Sequence, residues 1–142
     1  MRKRSVKEPS LGSTASVTIR VAEGDLANAV GIEPGDEFPA VFATARMVAL
    51  MEVAAARVLR PYLEAGELSV GVALDVVHSA ATPPGALATA TATLIAKEAK
   101  LFVFEVSAAD DAGEVGRGTH KRAVVTSQRL EAGAAKRKRT TA

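Results

Sequence analysis

Between residues 38 and 63 apolar side chains recur every three to four positions, the spacing of one helix face, in the longest helical pattern of the chain. At about 100° per residue, Met47, Met51, Ala54, Ala55 and Val58 project to one side, while Arg46, Val53, Arg57 and Arg60 project to the other. The first side is expected to be core and the second to meet water. Thr44 suits the N-cap, where its hydroxyl can accept a bond from a first-turn amide. Arg57 and Arg60 fall in the last turn, where cations suit the helix dipole, and Pro61 closes the pattern. Glu52 lies on the border, flanked in projection by Val48, Ala56 and Leu59. A carboxylate placed against an apolar surface is a candidate for chemistry.

Elsewhere the period is two. Residues 16–21 alternate Val17, Ile19 and Val21 against Thr18 and Arg20, and read as a first strand. Residues 23–37 are polar and glycine-bearing, and read as a loop or lid leading to the helix. After the helix, 70–78 puts Val70, Val72, Leu74, Val76 and His78 on one strand face and Gly71, Ala73, Asp75 and Val77 on the other. A Pro-Pro-Gly break precedes a half-exposed strand at 87–96; 97–100 would be a hairpin turn, 101–108 an aromatic strand, 110–113 a turn and 115–125 the last strand. Gly116 and Gly118 share one face of that strand, so something is expected to approach its backbone closely. One strand, a long helix and four antiparallel strands predict an α+β fold, a curved antiparallel sheet wrapped around one helix in the hot-dog arrangement. Such a sheet leaves an edge strand to protect, and pairing two copies edge to edge predicts a dimer.

At 142 residues, 48% of them hydrophobic and 24% charged, the chain suits one soluble domain, expected over 16–127, with flexible basic ends at 1–15 and 128–142. Arg2, Lys3, Arg4 and Lys7 against Glu8 contribute +3 and Lys136 to Arg139 contribute +4, so within the net +2 residues 9–135 carry −5. An acidic body is not a nucleic-acid face, and no nucleic-acid partner is expected. The lack of any long apolar run points away from a membrane and makes the cytoplasm the expected location. Cysteine is absent, which leaves oxygen or water as the nucleophile. Two histidines without cysteine make a poor metal site, and none is expected.

The blocks EFPAVFATARMVALME, GVALDVVHSAATPPG and GRGTHKRAVV, in that order, resemble the fluoroacetyl-coenzyme A thioesterase family of hot-dog proteins. The likeness covers 38–125. It implies a thioesterase acting on an acyl-CoA, with coenzyme A as part of the substrate and no separate cofactor. The family's catalytic positions fall on Thr44, Glu52 and His78, and its substrate-binding positions on Phe38, Gly71 and Arg122. The chain also departs from the family. A second lid phenylalanine is replaced by Gly35 or Asp36, the residues after the helix threonine are Ala45-Arg46 in place of Gly-Phe, and a tryptophan after the glutamate is Val53. All three changes remove aromatic bulk and predict a looser acyl pocket.

Thioester hydrolysis needs a nucleophile, a proton carrier and donors for the oxyanion, and these residue types supply them. Glu52 can attack the carbonyl or activate a water, with the resemblance favouring attack. His78 can take the proton of the hydrolytic water, help the thiolate leave, or simply be a hydrogen-bonded strand histidine. A free amide at the helix start is the expected oxyanion donor. Gly71 reads either as a strand bulge or as room for the acyl group, and Arg122 as a holder of a carboxylate or of a coenzyme phosphate, or as a surface ion pair. His120 reads as structural. The competing readings are a hot-dog acyl-CoA hydratase or dehydratase and a non-catalytic acyl-CoA binding module.

Overall fold

A computed structural model describes residues 8–138. Strand β1 (Thr14–Arg20) is followed by helix α1 (Thr44–Leu59), strands β2 (Glu67–His78), β3 (Leu87–Glu98), β4 (Leu101–Asp110) and β5 (Gly113–Thr126), and helix α2 (Ser127–Lys136). The five strands form one wholly antiparallel sheet in the order β1-β3-β4-β5-β2, and α1 touches all five. The predicted α+β arrangement of a sheet around one helix is therefore present, with β1 and β2 as its edges.

Side-chain size sets how the helix sits. Ala88, Ala90 and Ala92 of β3 are fully buried and face Ile19, Val17 and Ala15 of β1, so this half of the sheet offers α1 a shallow bed. Met47, Met51, Ala54, Ala55 and Val58 press into it, the side predicted to be core, together with Leu50 and Leu59. Phe102, Phe104 and Val106 of β4 fill the deeper half. Full burial of a Met or Leu contributes about 1.5–3 kcal/mol each, so this one helix face is a large part of the stability of the domain. Gly116 lets it come close, because a Cβ there would stand 2.5 Å from Met47 Sδ. The expected close approach to the β5 backbone is the helix at Gly116, whereas at Gly118 it is Asp75 and Val76 of β2.

Several boundaries move. The helix begins six residues after the pattern does, because 38–43 is bound sideways instead: Ala27 N–H donates to Val41 O, Ala43 N–H to Asp25 O and Phe42 N–H to Thr82 O. The N-cap is Ala43, and Thr44 is the first helical residue with its hydroxyl turned elsewhere. Residues 23–37 are the expected loop, with two short 3-10 turns. The end predicted as flexible from 128 onward is helical to Lys136, although α2 buries no side chain. Of the N-terminal segment predicted as flexible over 1–15, Thr14 and Ala15 belong to β1, Gly12 N–H donates to Leu94 O, and Glu8 pairs with Lys97 at 2.5 Å. The basic residues Arg2, Lys3, Arg4, Lys7 and Arg139 lie outside the described residues. No helix among the described residues is long and apolar enough to cross a membrane.

The largest change is inside β2. Its register with β5 shifts between Gly71 and Ala73, leaving Val72 as a bulge. An extra residue reverses the alternation. Gly71 lies opposite Arg122, and Leu74, Val76 and His78 lie opposite His120, Gly118 and Gly116, so all of these share the inner face. The single outer-inner alternation predicted for 70–78 fails at that point, and Gly71 joins the face of His78 instead of opposing it.

Candidate active site

Two clusters of polar side chains form where α1 meets β2 and β5. The first stands at the start of the helix. Thr44 Oγ1 and His78 Nδ1 are 2.7 Å apart, and His78 Nε2 is buried with no hydrogen-bond partner among the described residues. Burial pulls the His78 pKa below its ordinary 6.5, against an opposing pull from the Ala80 backbone, so the ring is neutral at physiological pH. A hydroxyl can donate or accept, so both neutral tautomers fit beside Thr44. With the proton on Nδ1, the free Nε2 is a base. The first intrahelical bond runs from Met47 N–H to Ala43 O, which leaves the amides of Thr44, Ala45 and Arg46 ahead of the helical ladder beside this pair. Positive helix-end dipole and free donors are what a developing oxyanion needs.

The second cluster is two helical turns further along. Glu52 Oε2 accepts from Arg122 Nη1 at 3.1 Å, with the arginine side chain 8% exposed and the glutamate 42% exposed. Arg122 makes three further bonds: Nε donates to Ser69 Oγ and Nη2 to Ser69 O, each at 2.9 Å, and Nη1 also faces His120 Nε2 at 3.1 Å. Its guanidinium is thus committed to protein groups, and the carboxylate it holds is Glu52. Gly71 lies directly beneath: a Cβ on it would collide with Glu52 Oε2 and stand 3.2 Å from His120 Cε1. The bulge lies at Val72, next to Gly71, and what approaches the Gly71 backbone is the Glu52 carboxylate. Val48, Glu52, Gly71, Leu74 and His120 line an open cavity of about 240 Å³.

Thr44 and His78 are thus brought together, and so are Glu52, Gly71 and Arg122. Phe38, 50% exposed on the lid, joins neither group by any hydrogen bond or ring contact. Eight residues at about 1.5 Å rise separate Thr44 from Glu52 by about 12 Å along the helix. Sequence reasoning missed Ser69 and undervalued His120. The signal was parity: Ser69 and Gly71 share the inner face with His78 only if one residue between them is bulged.

An antiparallel sheet around one helix is the hot-dog fold, and a carboxylate, a histidine and a free helix start on its inner surface are the kinds of group that thioester hydrolysis needs. The chain belongs to the family of fluoroacetyl-CoA-specific thioesterases, whose model matches residues 21–128. It is 51% identical over 96 residues, 68% of this chain and 69% of the relative, to the fluoroacetyl-CoA thioesterase of Streptantibioticus cattleyicolor. Among solved structures, the fluoroacetyl-CoA thioesterase FlK superimposes with a TM-score of 0.87 at 39% identity, over 92% of this chain and 98% of that one. A hot-dog-like protein from Thermanaerovibrio acidaminovorans matches at a TM-score of 0.77 and 26% identity, over 92% and 94% of the two chains.

Proposed function

We propose that the protein hydrolyses short acyl-CoA thioesters, fluoroacetyl-CoA among them, with Glu52 as nucleophile and the Thr44–His78 pair as the proton-handling partner. The observation that carries this reading is the half-exposed Glu52 carboxylate, oriented by Arg122 against a glycine whose missing side chain leaves room for it. One carboxylate oxygen bonds to the thioester carbonyl carbon, the C–S bond breaks, and sulfur leaves as a thiolate that takes a proton from solvent. Water, losing a proton to His78 Nε2, which then returns it to solvent, cleaves the resulting anhydride and restores Glu52. The helix-start amides carry the charge on the carbonyl oxygen.

A site built around one carbonyl cannot span about 12 Å of helix. Pairing of β2 with its own copy removes the difficulty. This edge exposes Val72, Leu74 and Val77, at 54%, 40% and 65%, a stretch centred between Leu74 and Asp75. Antiparallel pairing about that centre sets His78 of one chain beside Gly71 of the other, and so the Thr44–His78 pair of one beside Glu52 of its partner. A homodimer with two composite sites follows.

The test is release of free coenzyme A thiol from acetyl- and fluoroacetyl-CoA. Glu52→Gln should lower kcat by about 10³-fold, within the range that positioned catalytic groups contribute, with the fold intact. Turnover within tenfold of wild type would remove Glu52 from the chemistry. Absence of thiol release from any short acyl-CoA, with water adding to an enoyl-CoA instead, would make the protein a hydratase.

A further inference from the structure

Of all the polar groups buried behind the carboxylate, His120 is the most completely enclosed, at 2% exposure, and the proposed chemistry does not use it. Its ring lies between two partners of fixed character. On one side Nδ1 is 2.8 Å from Ala73 O, which can only accept, so Nδ1 carries the proton. On the other side Nε2 is 3.1 Å from Arg122 Nη1, which can only donate, so Nε2 is an unprotonated acceptor. Both neighbours demand the same neutral tautomer. The carbonyl that fixes it belongs to the residue just after the β2 bulge. A straight strand would turn alternation at Ala73 the other way, so bulge and histidine form one device.

From these contacts we propose that His120 is a positioning residue for the thioesterase reaction: a neutral acceptor that sets the guanidinium of Arg122 and, through it, the Glu52 carboxylate. The chain of contacts runs from Ala73 O to the His120 ring, to Arg122 Nη1, to Glu52 Oε2. Arg122 Nη1 is shared between His120 and Glu52, while Ser69 anchors the other two nitrogens. Removing the acceptor leaves a buried N–H unpaired, and the fork rotates to satisfy it at the carboxylate's expense. Of the groups facing the ring, Arg122 from its own strand repels a second cation, the Ala73 carbonyl from β2 and the Glu52 carboxylate from α1 pull the other way, and Phe104 from β4 is uncharged; the balance still favours the neutral form. Burial acts in the same direction, holding the His120 pKa below its ordinary 6.5.

The inference rests on the reading of Glu52 as the attacking group, and two measurements separate their fates. Nitrogen NMR of the wild-type imidazoles at pH 8 should show His120 protonated at Nδ1 alone; an Nε2–H tautomer or a cationic ring overturns the proposal without any variant. His120→Leu, which removes the acceptor, should lower kcat by about 10²-fold, the cost of a carboxylate displaced by roughly 1 Å, with KM for acetyl-CoA within a few fold. His120→Gln, whose side-chain oxygen can reach the Nε2 position, should recover most of that loss. Wild-type kcat in His120→Leu overturns the proposal, and so does a KM increase with kcat unchanged. If His120→Leu does not fold, a kcat in folded His120→Gln reduced by that same factor overturns the acceptor role. Should Glu52→Gln be inactive while His120→Leu turns over normally, only the positioning role falls; should Glu52→Gln turn over normally, both fall.

Discussion

Single atoms decide the chemistry at residue scale. A methyl group on Gly71 would collide with Glu52 Oε2. Gly71→Ala should therefore displace the carboxylate and lower kcat by at least tenfold, about 1.4 kcal/mol in the barrier. Near wild-type turnover would mean that Glu52 adjusts freely and that its orientation is not critical. For His78→Ala the expected loss is about 10²-fold in kcat, with KM for acetyl-CoA nearly unchanged, because the ring moves protons and does not hold the substrate. Both histidines are kept neutral by burial, their folded pKa values lying below 6.5. As pH falls through 6.5 the unfolded chain takes up protons that the folded chain refuses, so stability declines from there down to the folded pKa values and levels off below them. Urea unfolding between pH 7.5 and 5 should show this slope, and His120→Gln should show less of it. A flat profile would contradict the neutral state of both rings.

The β2 bulge and the depth of the α1 bed matter most among the elements. Gly116→Ala drives a Cβ into Met47 Sδ and to 3.0 Å from Val77 O; the fully buried thioether must repack, and the carbonyl cannot yield without moving the edge strand. A loss of about 1–3 kcal/mol in urea unfolding is expected, the usual cost of overpacking. An unchanged midpoint would show that α1 can slide. Helix α2 presents the opposite case. It buries no side chain, and Leu130 stays 46% exposed. Deleting 128–142 should change stability by no more than about 0.5 kcal/mol, as surface changes do, and should leave thioester turnover within a few fold. A collapse in turnover would give α2 a part in covering the site.

For the whole molecule, assembly and selectivity are coupled. Leu74→Lys places a charge at the centre of the exposed β2 edge, and by the edge-pairing argument it should yield monomers in light scattering with kcat reduced alongside. Active monomers would remove the partner from the site. Selectivity is expected to be modest. A pocket that separates fluoroacetyl from acetyl relies on small packing and polarity differences worth about 1–3 kcal/mol each, and needs a closed lid to use them. Here Phe38 is half-exposed, Val53 points to water and Arg46 is tied to Asp25 at 3.0 Å instead of covering the acyl group. The ratio of kcat/KM for fluoroacetyl-CoA over acetyl-CoA should stay below about 10³, or 4 kcal/mol. A larger ratio would reveal discrimination by a route other than aromatic closure.

Hydrophobic period alone determined the class of architecture, since a 3.6-residue stripe and several two-residue alternations can bury their apolar faces together only as a helix on a sheet. It also placed Met47, Met51, Ala54, Ala55 and Val58 inside and set Glu52 on the border, because direction around a helix depends only on spacing. Whatever depends on partners distant in sequence was settled by tertiary structure. Thr44 looked like a cap because local chemistry favours one, yet His78, 34 residues away, claims its hydroxyl. Arg122 looked free to bind a phosphate, but Ser69, Glu52 and His120 meet it only once β2 and β5 pair. Alternation along 70–78 could be read from sequence, whereas the bulge that reverses it has no period of its own. It exists because Gly71 and Ala73 must satisfy β5 in two different registers, and that is a property of two strands together.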